Sequence, residues 1–352
     1  MKKLILTFAS IMNEDQIQIL KQELSTPKKI VIVPHNNPDG DAVGSVISLH
    51  GYLCQLGHQV SMISPNDFPS FLKWLENSEL FINYEKESQR CDALINEADL
   101  IFNLDHNALH RTGAMESILK EAKTTFVMID HHQQPDDFAQ FIFSDSSMSS
   151  TCEMIYHFLE MMNDTDKINS AMATAMYTGI LTDTGSFKYR STTSTTLRVA
   201  ANLMDKGADG EAINRKIYDV NTPSRMKLLG VALRNMVILE NYRTAYITLS
   251  QKELNDNNFK KGDTEGFVNY ALSLDGIVFA QIFIENESEA IVKTSLRSKG
   301  DFDVNQLARD NWEGGGHKNA AGGKSDLSMT ATVKKLISIL PAYKNELRDV
   351  VI

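Results

Sequence analysis

His35, Asp39 and Asp41 crowd one imidazole and two carboxylates into seven residues, directly behind an apolar run, Ile30 to Val33, that stops at Pro34. Pro38 and Gly40 interrupt regular structure between them, because proline lacks its donor and glycine tolerates positive φ. Such a loop can curl its three polar side chains towards one point, and an imidazole with two carboxylates suits a divalent ion such as Mn²⁺, Co²⁺ or Zn²⁺. The same aspartates are also ordinary turn and helix N-cap residues. Two further apolar runs end similarly: Leu100–Leu104 runs into Asp105, and Thr125–Asp130 runs into His131-His132. Asp183 closes a helical pattern, followed by Thr184 and Gly185. A pair of histidines behind an apolar strand needs partners for its polar atoms, so turn chemistry alone does not account for the set.

Asp39, Asp41, Asp105 and Asp183 facing one another would repel and raise each other's pKa. Two divalent ions would bring them to rough neutrality. Two metals about 3.5–4 Å apart hold and acidify a water and clamp the oxygens of a phosphoryl group, so the chemistry expected is metal-assisted hydrolysis without a nucleophilic side chain. The histidines favour Mn²⁺, Co²⁺ or a similar metal over an all-oxygen Mg²⁺ site. Asp130 is a candidate acceptor for an imidazole N–H.

These residues demand a scaffold that gathers strand ends. Apolar strands at 29–33, 58–64, 99–105 and 125–130 alternate with helical patterns at 14–24, 42–56 and up to Ala122 behind a Thr112 cap, with a short helix at 71–75. That order predicts an α/β fold with a parallel sheet, whose carboxyl edge is where ligands bind. Helices are expected at 150–162, 168–181, 195–206, 211–218 and 224–239. Beyond them the texture changes to strands at 242–249, 277–285 and 290–296. The chain divides on this reading into a catalytic domain 1–218, a linker 219–228 with its hinge around Asn221-Thr222-Pro223, and a smaller α/β domain 229–352 with a mixed sheet.

A chain of 352 residues with 42% hydrophobic and 23% charged residues has the length and balance of two folded domains. Its net charge of −10 argues against wrapping long nucleic acid and leaves room for a small anion held locally. Cys54, Cys91 and Cys152 show no paired spacing and fit a reducing cytoplasm. The stretch up to Met12 has a brief apolar run but no convincing cleavage site, and no run reaches membrane-spanning length. In the second half Gly314-Gly315-Gly316 would let a backbone approach an anion, and Arg297 offers a planar fork for phosphate. A flexible loop and a surface arginine would look the same.

Taken together, His35-Asn-Asn-Pro-Asp-Gly-Asp-Ala-Val-Gly-Ser45, Asp105-His106, Asp130-His131-His132 and Gly179-Ile-Leu-Thr-Asp183-Thr-Gly185 resemble the motifs of the DHH phosphoesterase superfamily. Ser295-Leu-Arg297-Ser298 and Gly314-Gly-Gly-His317-Lys318 resemble its associated second domain. In length and two-domain plan the chain is most similar to the bifunctional oligoribonucleases that also act as 3′-phosphoadenosine 5′-phosphate (pAp) phosphatases. The resemblance implies that His35, Asp39, Asp41, Asp105, His131 and Asp183 ligate two Mn²⁺ ions, with Asp105 and Asp183 shared. It implies that His132, backed by Asp130, meets the scissile phosphate. Arg297, Ser298, Gly314, Gly315, Gly316, His317 and Lys318 would hold the far side of the substrate. Expected substrates are short 5′-phosphorylated RNA, cut to mononucleotides, and pAp, cut to AMP. No long duplex and no membrane is an expected partner, and a homodimer stays open. A phosphodiesterase for cyclic or linear dinucleotides is the nearest alternative, ahead of a family II inorganic pyrophosphatase or a non-catalytic nucleotide sensor.

Overall fold

The computed structural model describes residues 14–219 and 221–351, so the amino-terminal stretch weighed as a leader lies outside the described residues. The chain forms two compact units, the second beginning at Asn221.

The first unit runs α1 (Glu14–Glu23), β1 (Lys29–Val33), α2 (Gly40–Gln55), β2 (Gln59–Ser64), β3 (Ile82–Asn83), α3 (Tyr84–Asn96), β4 (Leu100–Leu104), α4 (Glu116–Glu121), β5 (Thr125–Asp130), β6 (Phe141–Ser144), α5 (Thr151–Met161), α6 (Ser170–Asp183), α7 (Ser194–Asp205) and α8 (Gly210–Tyr218). Its six strands are ordered β3-β2-β1-β4-β5-β6, and every pairing is parallel. Both faces are covered, which is why the central strands read as unbroken apolar runs. Ile30 and Ile32 pack into one core with α2, α5 and α6, while Val31 and Val33 pack into another with α3 and α4. After β1 the chain builds β2 and β3 on one side, then crosses back to place β4 on the other. That reversal opens a crevice at the carboxyl ends of β1 and β4.

Helices α2 and α6 meet through small residues. A Cβ on Gly44 would overlap the carbonyl oxygen of Ala175, and one on Gly179 would overlap Cys152 Sγ and stand 2.8 Å from Asp41 Oδ1. The close crossing brings the first turn of α2 and the last turn of α6 together.

The second unit runs α9 (Pro223–Arg234), β7 (Val237–Leu239), β8 (Thr244–Leu249), α10 (Gln251–Asp256), α11 (Phe267–Leu272), β9 (Phe279–Asn286), β10 (Ile291–Ser298), α12 (Val304–Asn311), β11 (Gly315–His317), β12 (Ala320–Ser325), α13 (Met329–Ile339) and α14 (Lys344–Asp349). Its sheet, ordered β11-β12-β10-β9-β8-β7, is mixed: β8 and β9 are parallel and the other neighbours antiparallel.

Four local expectations change. The helix expected over 224–239 ends at Arg234, and the branched run Val237–Leu239 pairs with β8 instead. The stretch marked as linker, 219–228, already contains the first turns of α9: Thr222 caps the helix, and Leu228 is buried in the second unit. Thr112 caps nothing. Its hydroxyl donates back to Leu109 O at 2.7 Å inside a 3₁₀ stretch, Leu109–Met115, broken by Gly113 at φ 59°, and α4 starts only at Glu116. The helix expected at 71–75 is a single 3₁₀ turn, Ser70–Leu72.

Candidate metal centre

The loop after β1 is held by its asparagines. Asn37, at φ 56°, receives Asn66 Oδ1 on its N–H at 2.7 Å, and Asn66 Nδ2 donates back to Asn37 Oδ1 at 3.0 Å. His35 sets Nδ1 2.9 Å from Asn36 O, which turns Nε2 inwards to 3.4 Å from Asp105 Oδ2 and 3.9 Å from Asp39 Oδ2. Asp39 serves both readings of its sequence. Its Oδ1 accepts from the N–H groups of Asp41 and Ala42 as the N-cap of α2, and its Oδ2 faces His35.

Asp105 lies one residue beyond β4, in the left-handed backbone region at φ 61°. It is buried between two groups of side chains. Donor atoms of His35, Asp39 and Asp105 lie within 4.8 Å of one another, and so do those of Asp41, His131 and Asp183. Asp105 Oδ1 stands 3.5 Å from His131 Nε2, which is also 3.7 Å from Asp41 Oδ2 and 3.3 Å from Asp183 Oδ2. His131 Nδ1 sits 3.3 Å from Met148 O, fixing Nε2 as the inward atom. Asp105 touches both groups, and Asp183 stands with Asp41 and His131.

His132 is turned differently. Its Nδ1 lies 2.7 Å from Asp130 Oδ1 and its backbone N–H donates to Asp130 Oδ2 at 2.9 Å, so Asp130 holds both the ring and the backbone of this residue.

The electrostatics describe a site short of positive charge. Burial and the charges of Asp105 and Asp183 push Asp41 well above the carboxylate range. Burial opposes a charge on His131, but Asp183, Asp105 and Asp41 outweigh it and raise its pKa to about 9. Burial and the guanidinium of Arg111 hold His132 well below its ordinary value, as a neutral ring. The inward Nε2 to oxygen separations exceed a good hydrogen bond. Three of them, His35 to Asp105 and His131 to Asp105 and Asp183, fall at the roughly 3–3.5 Å edge of a coordination polyhedron whose bonds are about 2.1 Å, and the two to Asp39 and Asp41 are longer. Donor type, spacing and unbalanced buried charge all fit divalent cations.

Three contributors were not singled out from sequence. Thr151 and Cys152, in the first turn of α5, donate backbone N–H groups to Asp41 Oδ2 and Oδ1 at 2.6 and 2.8 Å, and Thr151 Oγ1 donates to Asp105 Oδ1 at 3.0 Å. Arg111 acts on His35, His106 and His132 by charge. The run Ser149-Ser150-Thr151 before an apolar helix was legible as a cap, but nothing in it pointed to Asp41.

In the second unit the glycine stretch is not a flexible loop. Gly315–His317 forms β11, paired with β12, and a Cβ on Gly314 would overlap the Gly322 carbonyl oxygen. Gly316, at φ 153°, gives its N–H to Asn305 Oδ1 at 2.8 Å, so that group is engaged internally. Ser298 is buried, donates to Phe302 O at 2.6 Å and accepts from Asn319 Nδ2 at 2.8 Å. Lys318 pairs with Asp301 at 3.0 Å. Arg297 sits on β10, with Nη1 donating to Leu296 O at 2.9 Å.

The sequence profile of the DHH family, N-terminal domain, matches residues 29–180, and that of the DHHA1 domain matches residues 241–345. A crystal structure described as an exopolyphosphatase-related protein from Bacteroides fragilis has a TM-score of 0.92 and 37% identity, covering 96% of this chain and 99% of that one. The bifunctional oligoribonuclease and PAP phosphatase NrnA of Thermus thermophilus is 28% identical over 293 residues, 83% of each chain. The cyclic-di-AMP phosphodiesterase GdpP of Bacillus subtilis is 26% identical over 336 residues, 92% of this chain but 49% of that longer protein. Among the described residues no helix is long and apolar enough to cross a membrane.

Proposed function

Because this chain belongs to the DHH family of phosphoesterases, with the family's DHHA1 domain as its second unit, we propose that it hydrolyses short 5′-phosphorylated oligoribonucleotides to mononucleotides and pAp to AMP, with two Mn²⁺ ions held by His35, Asp39, Asp41, Asp105, His131 and Asp183. Its class, a hydrolase of phosphoester bonds, follows from the family. The observation that carries the rest is Asp105, buried between two donor groups. When bound, such ions supply an acidified water and a clamp on the phosphoryl oxygens.

The chain's own residues do the positioning. Asp130 fixes the tautomer of His132, so Nε2 is the ring atom that would meet a phosphoryl oxygen. In the second unit Arg297, His317 and the β11 backbone would hold the far end of the substrate, and Ser298 would act by shaping that strand, since its hydroxyl is engaged within the unit. Similarity to NrnA along most of both chains favours RNA fragments and pAp. Similarity to GdpP along 92% of this chain supports a second reading, a phosphodiesterase for dinucleotides.

The decisive assay gives the Mn²⁺-loaded protein a 5′-phosphorylated trinucleotide, pAp, cyclic and linear diadenylates, polyphosphate and pyrophosphate. Trinucleotide and pAp should lead in kcat/KM by at least about tenfold. A lead by the cyclic dinucleotide would move the chain to the second reading. Turnover of pyrophosphate alone would sink both.

A further inference from the structure

Asp41 sits in the first turn of α2 and Asp105 just behind β4, and one short segment touches both. The start of α5 delivers two backbone N–H groups to the Asp41 carboxylate, one to each oxygen, and the Thr151 hydroxyl reaches Asp105 Oδ1. Each contact occupies one lone-pair direction on its oxygen and aims the carboxylate. A backbone amide can do this only if the helix start is itself fixed.

Glu153 fixes it. This carboxylate is 1% exposed. Its Oε2 accepts from Ser149 N at 3.2 Å, Ser149 Oγ at 2.5 Å and Thr196 Oγ1 at 3.0 Å. Ser150 caps the helix, accepting from Glu153 N at 3.0 Å. The helix start is thereby tied to its own first turn and sideways to α7. Burying a carboxylate is costly unless every partner is in place. Neither Glu153 nor Thr196 lies in either donor group with Asp105 or Asp41, so the metal ligands do not account for this network.

We propose that Thr151 is a positioning residue that sets Asp41 and Asp105 at one spacing, and that Glu153 holds Thr151 in place through Ser149. The inference rests on the two-metal reading above. Partners of this kind typically change metal affinity by about 10–100-fold when removed.

The test titrates Mn²⁺ into metal-free parent, Thr151→Val, Thr151→Ser and Glu153→Gln by calorimetry, with thermal midpoints of the metal-free proteins alongside. Valine keeps the shape of threonine and deletes the hydroxyl; serine keeps the hydroxyl. Thr151→Val should bind Mn²⁺ about 10–100-fold more weakly, Thr151→Ser within about threefold of the parent, and Glu153→Gln more weakly than the parent although it touches no ligand. Parental affinity in Thr151→Val overturns the inference. So does an equal loss in the serine protein, which would assign the effect to packing. If Thr151→Val does not fold, parental affinity in Glu153→Gln overturns it by itself. A parent that binds no Mn²⁺ brings down the two-metal reading, and this inference with it, before any variant is compared.

Discussion

Asp105 holds a left-handed backbone that costs a non-glycine residue about 1 kcal/mol, and a position like that persists only where surrounding contacts impose it. Its carboxylate serves both donor groups, so Asp105→Ala should remove both ions rather than one. Since a Lewis-acid ion is worth several kcal/mol, turnover should fall by at least about a thousandfold while the far-ultraviolet dichroism stays parental. One Mn²⁺ per chain in Asp105→Ala, by elemental analysis, would contradict the shared position. A second residue-scale outcome concerns His157, away from the donor groups. It faces Glu153 and Glu160 on its own helix and the Tyr156 ring. Burial opposes its charge, yet the bond to Glu160 and the nearby carboxylate of Glu153 raise its pKa to about 9 from an ordinary 6.5. A raised pKa means that the folded state binds the proton more tightly. The contribution, on the order of 3 kcal/mol, is therefore complete below about pH 6.5 and fades as pH rises through about 9. Urea unfolding between pH 6 and 9.5 should show that decline in the parent and less of it in His157→Gln; parallel slopes would count against the pairing.

Helices α2 and α6 owe their close crossing to glycines, so adding one methyl is the direct probe of it. Gly179→Ala should cost about 1–3 kcal/mol by overpacking and weaken Mn²⁺ binding, because the new Cβ presses on Asp41 as well as on Cys152 Sγ. Cys152→Ala in the same chain should restore part of the stability, as read by denaturant midpoint; no recovery would mean that another contact resists. The parallel sheet and its polar edge were legible in the sequence because buried strands leave unbroken apolar runs, and because Asp105 and His131 each follow such a run at once. Helix α3 was not, since among its residues only Cys91 and Ile95 are buried, too thin a stripe to stand out from its charges. The β11–β12 hairpin was hidden for the opposite reason: glycines carry no side chains to alternate, so close backbone contact reads as looseness. Thr151 was missed because its contacts with Asp41 and Asp105 span 110 and 46 residues, distances over which spacing carries no information.

At the scale of the molecule, each unit owns a complete sheet and its own apolar clusters: two flank the first sheet, and two others lie within the second unit. All six proposed Mn²⁺ ligands belong to the first unit. Calorimetry of the metal-free protein should accordingly resolve two heat-absorption peaks. Each Mn²⁺ at a hundredfold excess over its Kd adds about 2.7 kcal/mol to whatever binds it, so two ions add about 5 kcal/mol, or about 10–20 °C for a unit of this size. That shift should fall on one peak and spare the other; equal movement of both would contradict the assignment of the ligands to one unit. The unmoved peak then becomes a thermometer built into the chain. In any preparation, the gap between the two peaks would gauge how fully the protein is charged with metal, with no outside standard and no substrate.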